Sequence, residues 1–149
     1  MLSLVLLAMI QPATQPAAQP AKLSWGPAPP FLPAGAKFAL VSGDPSKSGP
    51  YEVRLDLPNG YMIPPHMHPT AETVTVKSGH FMYGMGDKAD RKAEKTLTAG
   101  QSNTMPPNTA HWAHAKGHTV VAVTGTGPFA ITYVNPTDDP RNKGKTKTK

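Results

Sequence analysis

Cysteine is absent from the chain, which excludes disulfide bonds and thiolate metal ligands and leaves the redox compartment unmarked. No apolar run reaches the length needed to span a bilayer, and the run at residues 2–10 is instead the size of a signal-peptide core. No internal repeat is visible, so one folded domain is expected rather than two fused copies. Arginine is confined to Arg54, Arg91 and Arg141, and only nine carboxylates are present. That scarcity argues against clamping of an anionic substrate and against chemistry that needs several placed acids and bases.

What the chain has in quantity is proline and glycine, 18 and 13 of its 149 residues. With few long helical patterns, they favour many short strands joined by tight turns. The formal charge of +6 is a property of one end. Arg141, Lys143, Lys145, Lys147 and Lys149 supply five of the fifteen cations, and without residues 141–149 ten cations face nine anions, a net of +1. A basic tail without interleaved aromatics is solubilising and disordered in character and does not read as a nucleic-acid site. The expected organisation is a signal-like, Pro/Gln/Ala-rich segment at 1–21, marking an exported protein, and a proline-rich linker at 22–36. A single domain follows at 37–140, and the basic tail occupies 141–149.

Within the domain, Tyr51, Val53, Leu55 and Leu57 alternate with Glu52, Arg54 and Asp56, the pattern of a half-buried strand. Strands are also expected at 37–41, at 80–83, on either side of Ala99-Gly100, at 111–115, at 119–124 and at 129–134. Residues 87–95 read as a solvated, charged loop without chemistry of its own.

The most informative stretch runs from Gly60 to Gly79 and contains Pro64-Pro65-His66-Met67-His68-Pro69 and Glu72-Thr73-Val74-Thr75-Val76. The prolines forbid helix, so the segment is extended and His66 and His68 point the same way. Glu72 heads the face shared by Val74 and Val76. A carboxylate there is costly unless paired, and a metal ion would pair it. Two imidazoles and a carboxylate suit a divalent Mn, Fe, Co, Ni, Cu or Zn ion.

This spacing resembles the first motif of the cupin family: glycine, five residues, His-x-His, three or four residues, Glu, six residues, glycine. Gly60, His66, His68, Glu72 and Gly79 occupy every fixed position. Gly100, Pro106, Asn108 and His111 resemble the second motif, with Asn108 where the family usually has glycine and Ala115 where it often has asparagine. Asparagine tolerates positive φ, so the turn can survive. The resemblance covers roughly residues 51–134. It implies an antiparallel jelly-roll barrel (a double-stranded β-helix), with His111 as the fourth metal ligand beside His66, His68 and Glu72. A homodimer and a small-molecule partner are further expectations from it.

On the strand at 111–115, His111, Ala113 and Ala115 share one face while Trp112 and His114 share the other, so His114 is excluded from the metal set. The expected pocket walls are Tyr61, Ile63, Phe81, Tyr83, Met105, Trp112, Phe129, Ile131 and Tyr133. His80 and the tyrosines are candidate proton donors. Four ligands leave positions open on a six-coordinate metal, which separates a catalytic site from a closed structural one. The leading expectation is a dioxygenase-like oxidoreductase acting on a small organic molecule. The alternative is a metal-dependent protein that binds or senses a small ligand without turnover.

Overall fold

The computed structural model describes residues 22–144. Among these residues nine strands form in chain order: β1 (Gly26–Pro27), β2 (Lys37–Ser42), β3 (Gly49–Leu57), β4 (Met62–Met67), β5 (Glu72–Met85), β6 (Lys95–Thr98), β7 (Ser102–Met105), β8 (His111–Gly127) and β9 (Thr132–Tyr133). The only helical elements among the described residues are two short 3-10 turns near the C-terminal end. No helix among these residues is long and apolar enough to cross a membrane.

The architecture rests on the two long strands. β5 and β8 run antiparallel along their whole length. The C-terminal half of β8 also pairs with β3, and its N-terminal half with β4. On the far side of β5, the N-terminal half takes β7 and the C-terminal half takes β6. Each long strand therefore belongs to two sheets and bends between them, β5 at Gly79 and β8 at Gly117, both with positive φ. One sheet reads β1-β2-β3-β8-β5-β7 and the other β9-β4-β8-β5-β6, all antiparallel. This is the jelly-roll arrangement expected from the sequence, but hydrogen bonding does not close it into a ring. The two layers are held face to face by side chains, as in sandwiches.

The alternation expected for β3 is observed: Tyr51, Val53, Leu55 and Leu57 are buried, with Glu52, Arg54 and Asp56 between them only partly covered. Val121 and Val123 on β8 and Val74 and Val76 on β5 continue the same inner face, in register with Leu55 and Val53. A fully buried Val or Leu contributes about 1.5–3 kcal/mol, so this inner face anchors both sheets.

Four expectations need correction. The strands expected at 72–76 and 80–83 are one continuous β5, and those at 111–115 and 119–124 are one continuous β8, because their glycines bend the chain without ending the ladder. Residues 22–36 are not a free linker: Ala28, Phe31, Leu32 and Ala36 pack with the core, and Tyr133 and Tyr61 donate hydrogen bonds to the carbonyls of Phe31 and Pro33. Arg141 is not part of a detached tail, since it pairs with Asp139 and donates to the carbonyl of Ile131. The loop after β5 is not simply solvated: Glu94 and Arg91 reach back to His114 at 2.7 and 3.1 Å and help bury the outer face of β8. The signal-like segment at 1–21 and residues 145–149 lie outside the described residues.

Candidate metal centre

Proline shapes the first half of the site. Pro64 and Pro65 cannot donate to a ladder, and β4 bulges there: Ile63 pairs with Ala113 but His66 pairs with His111. The bulge places the His66 ring against that of His111, with centroids 4.3 Å apart. His68 follows at the end of the strand. Its carbonyl accepts a 2.7 Å hydrogen bond from the backbone N–H of Asn108, which ties the two motifs together. Asn108 has φ 52°, the left-handed conformation anticipated for the position where glycine is usual. Glu72 opens β5 and His111 opens β8, at opposite ends of their antiparallel ladder; each lies in a different sheet, and the two side chains meet across the space between the layers.

His66, His68, Glu72 and His111 converge, each offering a ligand atom within 4.8 Å of the others. All three imidazoles are buried, with 2–4% of their surface exposed. Their Nδ1 atoms meet the backbone carbonyls of Pro64, Ala130 and Thr109 at 2.7, 2.8 and 2.9 Å. A carbonyl only accepts, so each Nδ1 carries the proton and each neutral ring turns an Nε2 lone pair inward. His68 and His111 Nε2 are buried without a hydrogen-bond partner, 3.4 and 3.6 Å from the Glu72 carboxylate. Lone pairs facing a carboxylate at that range need positive charge between them. A divalent cation fits this donor set, and backbone-held Nδ1–H groups are the usual means of orienting metal-binding histidines.

The electrostatics agree. Burial, reinforced by the neighbouring His111 and His68, pushes the His66 imidazole down to about 3 and keeps it neutral. Burial also pushes the Glu72 carboxyl up, but the close approach of the His111 and His68 imidazoles outweighs this and holds it well below the ordinary carboxylate range. Burial lowers His68 as well, yet the nearby Glu72 carboxylate prevails and raises it.

The centre opens on a cavity of about 210 Å³ between the sheets. Of the expected walls, Ile63, Phe81, Met105, Phe129 and Ile131 line it; Tyr61, Tyr83, Trp112 and Tyr133 do not. Trp112 lies on the opposite face of β8, beside His114. Tyr61 and Tyr133 are buried in the core with their hydroxyls turned to the 22–36 segment. The sequence reading missed Phe31, Leu32 and Phe38, which line the cavity from the supposed linker and from β2, and also Tyr51. Tyr51 carries the signal of an inward strand position and is one of the tyrosines expected as proton donors, but it is not among the expected walls. Burial, and then the Glu72 charge, push its phenol up to about 12. Among the described residues no lysine or arginine lines the cavity. His114 stays outside the cluster, as the alternation on β8 requires, and His80 is exposed.

Comparison with known proteins gives a consistent picture. The family model described as "Cupin domain" matches residues 53–126. Germin-like protein 1-1 of Oryza sativa subsp. japonica is 35% identical over 71 residues, 47% of this chain and 33% of that protein. The chain spans about a third of the length of the curated relatives it matches. Among solved structures, a proposed acetylacetone dioxygenase from Methylibium petroleiphilum PM1 aligns with TM-score 0.62 and 18% identity over 89% of this chain and 90% of its own. An RmlC-like cupin from Shewanella frigidimarina NCIMB 400 aligns with TM-score 0.56 and 18% identity over 76% and 91%. At such identities these structures speak for the fold alone.

Proposed function

Because the chain belongs to the cupin superfamily, we propose that it is a metal-dependent oxidoreductase of dioxygenase type, with His66, His68, Glu72 and His111 holding one divalent transition-metal ion. The substrate class we assign is a small, largely apolar organic molecule, neutral overall or chelating through two adjacent oxygens. The observation that carries this reading is the pair of buried, partnerless Nε2 atoms aimed at a buried carboxylate on the wall of an apolar cavity.

A redox-active divalent ion bound there would supply Lewis acidity and dioxygen chemistry, with coordination positions left for substrate and oxygen. The chain's own residues do the rest. Glu72 stays ionised and offsets the ion's charge. The carbonyls of Pro64, Ala130 and Thr109 hold the three rings in one tautomer. Phe31, Phe81, Phe129 and Ile131 exclude water and select apolar shape. With no cation on the cavity wall, a polyanionic substrate would have only the metal to balance its charge.

Two measurements test this. Elemental analysis of purified protein should find close to one transition-metal ion per chain. His68→Ala and His111→Ala should lower metal affinity at least about 10- to 100-fold, judging by what outer-shell changes alone cost. His114→Ala should leave occupancy unchanged. Oxygen uptake by metal-loaded protein should then appear with neutral two-oxygen chelators such as β-diketones and should vanish after chelator treatment. Undiminished anaerobic turnover, or ligand binding without turnover, would defeat the oxidoreductase reading and leave the metal site standing.

A further inference from the structure

One row of residues crosses the inner face beside the centre. Tyr51 on β3 pairs with Gly125 on β8, and Gly125 pairs with Glu72 on β5. The middle position has no side chain, and Tyr51 fills the space: a Cβ at Gly125 would lie 2.6 Å from the Tyr51 hydroxyl and 3.0 Å from its Cζ. The Tyr51 ring is therefore laid over the glycine toward the strand that carries Glu72. An edge-to-face contact with Phe129, centroids 6.2 Å apart, holds it there.

Tyr51 is 4% exposed and lines the cavity. Buried phenols normally donate a hydrogen bond, as Tyr61 and Tyr133 do to Pro33 and Phe31. The Tyr51 hydroxyl makes no such bond to another described residue and is not one of their sealed-off polar atoms, so it borders the cavity. A phenylalanine would pack the same space, so packing does not account for an oxygen on the cavity wall.

We propose that the Tyr51 hydroxyl is the hydrogen-bond donor that positions a ligand at the His66, His68, Glu72 and His111 centre, and that Gly125 is a glycine so that the hydroxyl can reach it. The inference rests on the metal reading above and names the group that recognises an oxygen of the bound molecule. In a mostly apolar cavity a donor placed beside the metal centre selects ligands that present an acceptor there.

The test uses cobalt(II)-loaded protein titrated with acetohydroxamate, a two-oxygen chelator, read by the visible spectrum of the metal. Tyr51→Phe should keep one cobalt per chain and the wild-type melting temperature within a few degrees, while the acetohydroxamate Kd rises about tenfold, the loss of one hydrogen bond. Gly125→Ala, if it folds, should show a similar loss by displacing the ring. Equal Kd at equal cobalt content in Tyr51→Phe would overturn this inference and leave the metal reading intact. Failure of wild-type protein to take up cobalt would overturn both.

Discussion

At the scale of single residues, the centre is built from protons as much as from ligand atoms. The backbone carbonyls of Pro64, Ala130 and Thr109 each claim an Nδ1–H, so the inward Nε2 atoms have no proton to offer one another. Without metal this arrangement is sensitive to acid, and His66 shows the sign. Its folded pKa of about 3 lies below the ordinary histidine value of 6.5. Between those limits the unfolded chain binds a proton that the folded chain refuses, so stability falls as pH drops below about 6.5. Glu72, also depressed, adds to the loss below its ordinary value of 4.5, whereas His68, which is raised, opposes it. For chelator-treated protein, thermal denaturation should show His66 alone costing about 1–2 kcal/mol between pH 6.5 and 5. His66→Gln should flatten that dependence, and an equally steep profile in the variant would remove His66 as its source. All four candidate ligands were readable in the sequence because motif spacing survives folding unchanged. Which tyrosine lies beside the centre was not, since the placement of Tyr51 depends on Gly125, seventy-four positions later and visible only through strand pairing.

At the scale of elements, two glycines turn two strands into two sheets. The sequence shows Gly79 and Gly117 as breaks, because glycine weakens a strand locally whether it ends the element or bends it. Only the cross-strand register distinguishes these outcomes, and here pairing resumes on the far side of each bend. The two positions are not equivalent. Gly79 has φ +83°, and a Cβ there would lie 2.3 Å from the His118 carbonyl oxygen and 2.6 Å from the Thr119 hydroxyl. Gly117 has φ +76° with nothing within 4 Å of a Cβ. Gly79→Ala combines backbone strain with a clash against backbone atoms and should cost about 2–4 kcal/mol. Gly117→Ala carries the strain alone, about 1–2 kcal/mol. Calorimetry should place the Gly79→Ala melting temperature well below that of Gly117→Ala, and equal values would mean that the bend in β5 has slack. The loop at 87–95 was misread for a related reason: its charge suggested solvent, but Glu94 had a buried partner in His114 that only the fold brings near.

At the scale of the whole molecule, residues 22–36 complete the cavity. A proline-rich composition normally marks a segment that cannot bury enough apolar surface to order itself. Here the apolar surface that orders it belongs to the rest of the domain. Phe31 lies on Phe129 with ring centroids 5.3 Å apart, and Phe129 in turn lies 4.9 Å from His68 and edge-on to Tyr51. Tyr133 and Tyr61 fasten the same segment through its carbonyls. The segment is thus one layer of side chains away from the metal centre, and it helps set how much room a ligand has. Phe31→Ala removes a half-buried ring and should lower stability by about 1–3 kcal/mol, less than a fully buried phenylalanine would cost. Because no candidate ligand is touched, cobalt stoichiometry should hold at one per chain. The enlarged cavity should bind a bulkier chelator, benzohydroxamate, more tightly relative to acetohydroxamate than wild type does. A melting temperature identical to wild type would restore the free-linker reading. Unchanged relative affinities with a lowered melting temperature would show that the segment braces the domain without shaping what enters it.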